Sequence, residues 1–423
     1  MKTPEELFHG LLGLGENWRI KEIKFDRENG EVWIEVEGTE AVAEGQRCPK
    51  DNGETEVYDQ SYDRQWRHLD IFEHKCFLRA RLPRMRCKSC GHIFRVQPPW
   101  EGLAKHFTSA FEAMALVLMR EMPVKQAAEY VREHDTRLWR ILIRHVKVSY
   151  AGLDFSDVSH LGVDETAAHK RHKYLTIFAD LLKRRVLFSV PNKDSGTFEA
   201  FVEELEKHKG QREKIACVSL DMSKAYQKGV RQYCPNAEMV FDKFHVIAMA
   251  NEAVNRVRRA EVRRGLRHED LKGTRMLWLT NPENLTDSQS ERLARIEKAN
   301  LLTAKAYQMR LTLQDIYRLV HEQAAKRRLL AWCRWVRWQA KRARFNLLAA
   351  MARVAKTIER HLAGILKHWE TGLTNAYMEG LCSIVQMVKH RACGYRSDER
   401  FIMMIYFVAS KLQLPAEATS HQK

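Results

Sequence analysis

Residues 160–192, HLGVDETAAHKRHKYLTIFADLLKRRVLFSVPN, contain three apolar runs separated by short polar breaks. Apolar runs of about four to eight residues bounded by turn signals are typical of buried strands. Downstream, SGTFEAFVEELEKH predicts a helix, KIACVSLDMSKAY a fourth strand with a helix after it, and AEMVFDKFHV a fifth strand. Three strands, then helix, strand, helix and strand, predict a mixed β-sheet with helices packed on it.

Two aspartates stand at the ends of apolar strands of this sheet, Asp164 in LGVDE and Asp221 in CVSLDMS. A carboxylate after a buried run is costly unless it is solvated, paired or metal-bound. Aspartate is also common in turns and caps, so a structural role explains either residue alone. If the first and fourth strands are neighbours, both carboxylates emerge at one edge of the sheet.

A third carboxylate comes from residues 374–396, TNAYMEGLCSIVQMVKHRACGYR, which predict an amphipathic helix with Thr374 and Asn375 as possible caps. Its one acid, Glu379, lies near the start and its cations gather at the end, which dipole matching alone explains. Three converging carboxylates would repel one another unless divalent cations neutralise them. Hard oxygen ligands with open positions select Mg²⁺ or Mn²⁺.

The N-terminal part predicts a small β region with a metal-site pattern. Residues 19–37 and 57–82 alternate polar with β-branched or aromatic residues, as short antiparallel strands do. Two short motifs, CPKD and CKSC, stand at the separation of a zinc ribbon's ligand pairs, although an aspartate replaces one cysteine. The candidate zinc ligands are Cys48, Cys87 and Cys90, completed by Asp51, His68 or His92. A ribbon that has lost its metal is the alternative.

Helical periodicity begins at Lys105. Helices over 105–120 and 123–132, and a third that opens at Asp135, predict a helix-turn-helix. The third helix would present Arg137 and Arg140 to a DNA groove. An ordinary helical subdomain is the alternative, because three short helices are common.

Most of the net charge of +17 lies in residues 251–369, which carry 26 Lys and Arg against 11 Asp and Glu. This concentration favours a phosphate backbone as partner, with a solvated helical surface as the alternative. In the same segment Trp332, Trp335 and Trp338 alternate with arginines. They are either a buried helical stripe or a surface that stacks on unpaired bases.

Composition indicates a cytoplasmic protein. No apolar run reaches the ~18 residues of a membrane span, and MKTPEELFHG lacks the apolar stretch of a signal peptide. The nine cysteines are scattered and odd in number, which argues against a disulfide framework.

Asp164, Asp221 and Glu379, in this order of strands and helices, resemble the acids of the DDE transposases and their ribonuclease H-like core. Four short stretches of the sequence are similar to those of insertion-sequence transposases of the ISL3 family: GVDE, SLDMSKAY, FDKFHV and NAYMEGLCSIVQMVKHRACGYR. The resemblance implies an α+β multidomain fold with a mixed β-sheet core. The implied parts are a zinc-ribbon-like region (1–100), a helix-turn-helix domain (101–155), the core (156–250 and 370–412) and a basic helical insertion (251–369).

The resemblance implies an enzyme that binds double-stranded DNA with terminal inverted repeats, as a homodimer, and cleaves and joins strands with two Mg²⁺ or Mn²⁺ ions. Asp242 and His245, after the fifth strand, would support metal, water or DNA, although helix capping also explains Asp242. The cations that would face DNA phosphates beyond the metals are Lys389, His390 and Arg391. A DNA-binding regulator that no longer cuts and a structure-specific nuclease with the same core are the alternatives.

Overall fold

The structure, a computed structural model, describes residues 3–169, 173–192, 196–265, 271–297, 301–371 and 376–414. The caps predicted at Thr374 and Asn375 lie outside these residues. The chain forms two compact units, Met1–Leu153 with Arg391–Lys423, and Asp154–His390. Within the described ranges, no helix is both long and apolar enough to cross a membrane.

The first unit contains a four-stranded sheet of order β1-β2-β5-β4 and a three-stranded sheet of order β3-β6-β7. The strands are β1 Trp18–Asp26, β2 Glu31–Gly38, β3 Thr55–Gln60, β4 Arg64–Ile71, β5 His74–Ala80, β6 Pro83–Cys87 and β7 Ile93–Arg95. The prediction of antiparallel strands is right for β1–β2 and β4–β5, but β2 and β5 pair in parallel. This pairing brings fully buried Ile34, Trp66 and Leu78 into one core.

Helices make up most of the remaining described chain. They are α1 Pro4–Leu12, α2 Ser109–Glu121, α3 Val124–Tyr130, α4 Asp135–Ala151, α5 Gly196–Lys207, α6 Lys224–Tyr233, α7 Lys243–Arg263, α8 Arg275–Leu279, α9 Asp287–Glu297, α10 Leu302–Ile316, α11 Glu322–Arg342, α12 Ala349–Arg360, α13 Leu362–Thr371, α14 Ala376–Arg391 and α15 Asp398–Ala409. The long run from α7 to α13 accounts for the helical segment expected between the fifth strand and the helix of Glu379.

The three helices α2, α3 and α4 lie where a helix-turn-helix was predicted. α2 begins four residues later than expected, because the Thr108 hydroxyl accepts the Phe111 N–H (3.3 Å) as an N-cap and Lys105 has a φ of 62°. α3 ends before Arg132, whose φ of 57° takes the chain out of the helix. In the same unit, α15 packs on α4, and the rings of Tyr406 and Tyr150 stack 4.5 Å apart.

The C-terminal boundary differs from the one expected for the core. The prediction assigned residues 370–412 to the core, whereas the residues from Arg391 onward group with the first unit. The aromatic face of α15 explains this, since Arg400 also lies over the ring of Trp139 in α4 (5.1 Å).

The second unit is built on a five-stranded sheet of order β10-β9-β8-β11-β12. The strands are β8 His160–His169, β9 Lys173–Asp180, β10 Arg185–Pro191, β11 Cys217–Leu220 and β12 Glu238–Phe241. β8, β9 and β10 are antiparallel neighbours, while β11 runs parallel to both β8 and β12. The first and fourth strands of the sheet are thus adjacent, as the argument about the two aspartates required.

Candidate active site

Three aspartates lie level with one another on neighbouring parallel strands. Asp221 and Asp242 directly follow β11 and β12, whereas Asp164 lies within β8. The prediction that Asp164 ends a strand is wrong, because β8 continues to His169 in its pairing with β9. The β8–β11 register places Ser219 opposite Gly162, and two residues further on it brings Asp221 level with Asp164. The β11–β12 register, continued past the strand ends, brings Asp242 level with Asp221. Since neighbouring strands lie ~4.8 Å apart, the sheet aligns three carboxylates in a row along one edge.

Glu379 reaches this row on α14, which runs alongside β8. Four helical residues rise ~6 Å, and two strand residues rise ~6.6 Å. Helix residues i, i+4 and i+8 can therefore contact strand residues j, j+2 and j+4 in turn. The contacts that fit this pattern are Met378 near Gly162, Cys382 with Asp164 (3.5 Å) and Gln386 with Thr166 (2.5 Å); Lys389 then donates to the Ala167 carbonyl (2.6 Å). This alignment fixes the start of α14 beside the acids.

Gly162 makes the close approach of the helix possible. A Cβ at this position would lie 2.6 Å from Cγ of Met378 and 2.7 Å from its sulfur, well inside van der Waals contact. A side chain at Gly162 would force Met378, which directly precedes Glu379, or Leu181 to shift. The glycine in LGVDE is therefore part of the site's construction.

The four carboxylates influence one another electrostatically. Burial raises the pKa of Asp164, and the charges of Asp221 and Asp242 raise it further. Burial likewise raises the pKa of Glu379, with added contributions from Asp242 and Asp164, while Lys243 lowers it. Crowded carboxylates hold their protons until a cation neutralises them. Hard oxygen donors with this excess of negative charge fit Mg²⁺ or Mn²⁺.

The sequence interpretation did not single out Cys382, which lies one helical turn after Glu379. Its thiol donates to Oδ2 of Asp164 (3.5 Å), while the Glu165 N–H donates to Oδ1 (2.7 Å). Burial raises the pKa of the thiol well above its ordinary value, so the thiol remains protonated. Both carboxylate oxygens of Asp164 are therefore oriented by donors. The spacing of Cys382 from Glu379 was the available signal.

Asp242 has a second, structural role as the N-cap of α7. Its Oδ1 accepts the Phe244 N–H (3.1 Å), and its own N–H donates to the Leu220 carbonyl (3.3 Å). His245 follows on α7 and lines a groove of about 410 Å³ between α7 and α12, together with Arg256. Capping and membership of the acid row are thus combined in one residue.

A second cluster of potential metal ligands lies in the first unit. Cys48, Asp51, Cys87 and Cys90 offer ligand atoms that all lie within 4.8 Å of one another. The Cys90 N–H donates to the sulfur of Cys87 (3.5 Å) and lowers the pKa of that thiol. Hydrogen bonds from the Cys48 thiol and the Gly53 N–H hold the pKa of Asp51 well below its ordinary value. Both effects favour the anionic forms that bind Zn²⁺.

The other two candidates for the fourth zinc ligand have different environments. His68 is largely buried, its Nδ1 is 2.9 Å from the Thr108 hydroxyl, and burial lowers its pKa to about 4. His92 stacks on Phe94, with the ring centroids 6.2 Å apart. The structure therefore brings Asp51, and neither histidine, to the three cysteines. Strands β6 and β7, which the sequence interpretation missed, form the hairpin that carries Cys87 and Cys90.

The two arginines of α4 differ in their surroundings. The guanidinium of Arg137 pairs with Glu133 (2.5 Å) and lies over the ring of Phe107 (4.5 Å). Arg140 is exposed on the helix surface, and Arg144, one turn later, is exposed as well and donates to the Leu103 carbonyl (3.0 Å). Of the two predicted base readers, Arg137 is thus engaged by an acid of the protein itself, whereas Arg140 is exposed.

Family models match three separate parts of the chain. A model described as a transposase matches residues 161–405, more than half of the chain. A zinc-finger of transposase IS204/IS1001/IS1096/IS1165 matches residues 44–90, and the helix-turn-helix domain of transposase family ISL3 matches residues 105–146. The chain belongs to the ISL3 family of transposases. It is accordingly a nucleotidyl-transfer enzyme with a DNA-binding domain, and the predicted family and α+β fold class are confirmed.

Relatives of this ISL3 transposase cover most of its length. The chain is 30% identical over 350 residues to the transposase for insertion sequence element IS1001 of Bordetella parapertussis, covering 81% of this chain and 83% of the relative. It is 27% identical over 429 residues to the transposase for insertion sequence element IS1557 of Mycobacterium tuberculosis, strain H37Rv, covering 94% of both.

The three cations at the end of α14 occupy different environments. The Lys389 ammonium donates to the Ala167 carbonyl (2.6 Å). Arg391 donates to the carbonyls of Glu121 (2.6 Å) and Arg120 (2.8 Å). His390 is exposed. Lys389 and Arg391 thus each use part of their donor capacity within the ISL3 transposase itself.

The three tryptophans of α11 differ in burial, which distinguishes a buried helical stripe from a surface that stacks on unpaired bases. Trp332 is buried and its indole N–H donates to the Met309 carbonyl (2.8 Å), so it belongs to the core. Trp335 is half-buried. Trp338, by contrast, is 49% exposed.

Proposed function

We propose that this ISL3 transposase binds the terminal inverted repeats of its insertion sequence as a homodimer and catalyses metal-dependent DNA strand cleavage and strand transfer. Because its substrate is chromosomal DNA, it would act in the bacterial cytoplasm. The level row of Asp164, Asp221 and Asp242, with Glu379 held beside it on α14, carries this proposal. A regulator that no longer cuts would have no need of an intact acid cluster.

Asp164, Asp221 and Glu379 would hold two Mg²⁺ or Mn²⁺ ions. Bound divalent ions would supply the positive charge that lowers the pKa of an attacking hydroxyl and stabilises the leaving oxygen. Cys382 keeps the Asp164 carboxylate oriented toward the row, as its 3.5 Å contact indicates. Asp242 adds negative charge at the same edge, and His245 lies in the adjoining groove, where it supports bound DNA or water.

We further assign Zn²⁺ to Cys48, Asp51, Cys87 and Cys90. Four protein ligands leave no open position, so this site is structural and not catalytic. The metal would join the two ends of the β3-β6-β7 region, since Cys48 precedes β3 and Cys87 ends β6. In this protein an aspartate takes the place of the usual fourth cysteine.

DNA contacts are proposed to be divided among the domains predicted from the sequence. Recognition of the repeat would come from residues 1–100 and 101–155, with Arg140 as base reader and Arg137 as a residue that positions α4. The predicted core, 156–250 and 370–412, would contact phosphates through Lys389, His390 and Arg391. The insertion, 251–369, supplies general attraction through its excess of 15 positive charges.

The decisive experiment pairs strand cleavage with end binding. The full chain is incubated with Mg²⁺ and DNA that bears the element's own ends, and nicking at 3′ ends and joining are scored. Asp164→Asn, Asp221→Asn and Glu379→Gln should each abolish both reactions while gel shifts with the ends stay at wild-type strength. Asp315→Asn, an exposed acid that pairs with Arg318, is the control. Nicking without joining in the wild type would identify a nuclease instead.

A further inference from the structure

The exposed end of α11 carries an aromatic ring covered by a cation. Leu329, Trp332 and Val336 bury the inner face of the helix. On the outer face, the guanidinium carbon of Arg342 lies 3.7 Å from the ring centroid of Trp338. The indole of Trp338 therefore lies outside the hydrophobic core.

A second exposed ring follows directly in the turn after α11. Phe345 has a φ of 57° and a ψ of 21°, a left-handed conformation that a residue with a Cβ rarely adopts. Its ring is 62% exposed, and the guanidinium carbon of Arg264 lies 4.4 Å from the ring centroid. Strained backbone and an exposed aromatic together are features of ligand-binding positions.

Beside the Phe345 ring and the start of α10 lies an open cavity of about 480 Å³, a volume within the ~300–1,000 Å³ range of ligand sites. Its walls include Leu301, Leu302 and Leu347 along with the Phe345 ring. Arg342, whose guanidinium covers Trp338, also lines it. The cavity and the exposed indole are therefore parts of one surface.

The rim of this cavity is positively charged. Lys305, Arg342 and Arg344 line it, and Glu261, the one acid among the described lining residues, is already satisfied within the protein. The Glu261 carboxylate accepts the backbone N–H groups of Leu302 (2.9 Å) and Thr303 (2.8 Å) at the start of α10. Leucine side chains and the Phe345 ring beside a cationic rim match a planar base attached to a phosphate.

We propose that this cavity, with Trp338 beside it, binds an unpaired nucleotide of the DNA substrate. The base stacks on the aromatic rings, and its phosphate contacts Arg342 and Arg344. Bases of an intact duplex are unsuitable occupants, because their faces are covered by neighbouring base pairs. A second copy of this chain is also unsuitable, because two segments of the same strongly positive charge repel each other.

The test measures DNA binding by the full chain without divalent metal, so its outcome does not depend on cleavage. Two labelled DNAs are compared, an intact duplex and the same duplex with a short mismatched bubble that contains 2-aminopurine. Wild-type protein should quench the 2-aminopurine by stacking. Trp338→Ala and Phe345→Asn should reduce bubble affinity by ~5- to 150-fold, the range that corresponds to ~1–3 kcal/mol per stacked base, and leave duplex affinity unchanged. Asparagine at residue 345 tolerates the left-handed backbone.

Three variants make the result specific. Phe72→Asn removes a ring that is 94% exposed at a φ of 55° in the first unit, and should change neither affinity. Arg327→Ala, on an exposed position of α11, should weaken both DNAs alike. Trp338→Phe should restore the quenching lost in Trp338→Ala. If the Trp338 and Phe345 variants weakened binding to both DNAs equally, the surface would contact phosphates only and would not stack on a base. If they left the affinity for the bubble unchanged, no nucleotide would bind at this cavity.

Discussion

Mg²⁺ should stabilise the folded unit Asp154–His390 through its four crowded carboxylates, and Asp164→Asn should remove most of that effect. Without metal, burial and neighbouring charges raise the pKa of Asp164 and Glu379 above their ordinary values of 3.8 and 4.5. The folded state therefore binds these protons more tightly than the unfolded chain does. This contribution favours folding below those ordinary values and is lost as the pH rises through the raised folded pKa.

At pH 8 the metal-free wild type therefore has an unfavourable charge cluster, which Asp164→Asn relieves. We expect the metal-free variant to have the higher Tm. Added Mg²⁺ reverses the order, because the wild type binds it more tightly. At a concentration of about one hundred Kd, a ligand that binds only the folded state stabilises it by ~2.7 kcal/mol. For a unit of the size of Asp154–His390, this corresponds to a rise in Tm of about 5–10 °C.

The assay is thermal unfolding at pH 8 with EDTA or with Mg²⁺ at constant ionic strength. Asp315→Asn, which removes one exposed acid from the same unit, should respond to Mg²⁺ as the wild type does. The Mg²⁺-induced shift should also shrink as the pH falls toward the raised carboxyl pKa values, since protons and metal compete. Equal shifts for the wild type and Asp164→Asn would mean a general ion effect and would refute a metal site at this acid.

Three further predictions concern the metal ribbon and DNA binding. Asp51→Ala should lower the Zn²⁺ content of purified protein, and Asp51→Cys should raise its Zn²⁺ affinity. His92→Ala should change neither the Zn²⁺ content nor the affinity. A loss of zinc in His92→Ala alone would make His92, and not Asp51, the fourth ligand. Neutralising exposed arginines in 251–369 should flatten the dependence of log K on log salt by ~0.9 per lost phosphate contact, and an unchanged slope would indicate a merely solvated surface. Arg140→Ala should weaken cognate-end binding by ~1–3 kcal/mol with little effect on random DNA. Arg137→Ala should instead lower Tm, because its ion pair with Glu133 is lost. If footprinting showed the binding loss in Arg137→Ala, and thermal unfolding showed the lower Tm in Arg140→Ala, then Arg137 would be the base reader and Arg140 the structural residue.

The order of strands in the second unit could be read from sequence because each run is short, apolar and bounded by polar residues. That order placed Asp164 and Asp221 at one sheet edge on the condition that the first and fourth strands are neighbours, and the β8–β11 pairing meets this condition. The place of Asp242 was not evident, because helix capping explained it equally well and only the β11–β12 register brings it level with the others. Register depends on tertiary pairing, which a single sequence does not specify.

Long-range partners account for the other differences. The parallel pairing of β2 with β5 joins segments about forty residues apart, as the opposition of Trp33 and Phe77 illustrates, and local alternation contains no information about it. Arg137 looked as available to DNA as Arg140, because Phe107 approaches it only in the folded helix-turn-helix. Its ion pair with Glu133 has the local i, i+4 spacing and was overlooked in the sequence. Whether a side chain is free to contact DNA is thus harder to predict from sequence than which helix carries it.

The distribution of charge links metal loading to DNA binding. The acid row presents several carboxylates where a DNA phosphate would have to lie, and like charges repel at this range. The basic insertion, as proposed, would attract DNA by a sequence-independent mechanism, so that DNA would bind the surface while the acids remain unsatisfied. Neutralising the row with divalent cations removes the repulsion, and the phosphate then adds oxygen ligands of its own. We therefore expect the affinity for Mg²⁺ to rise when DNA is bound, and, by linkage, the affinity for a DNA end to rise by the same factor when Mg²⁺ is bound. A regulator that used only the basic surface would show no such coupling.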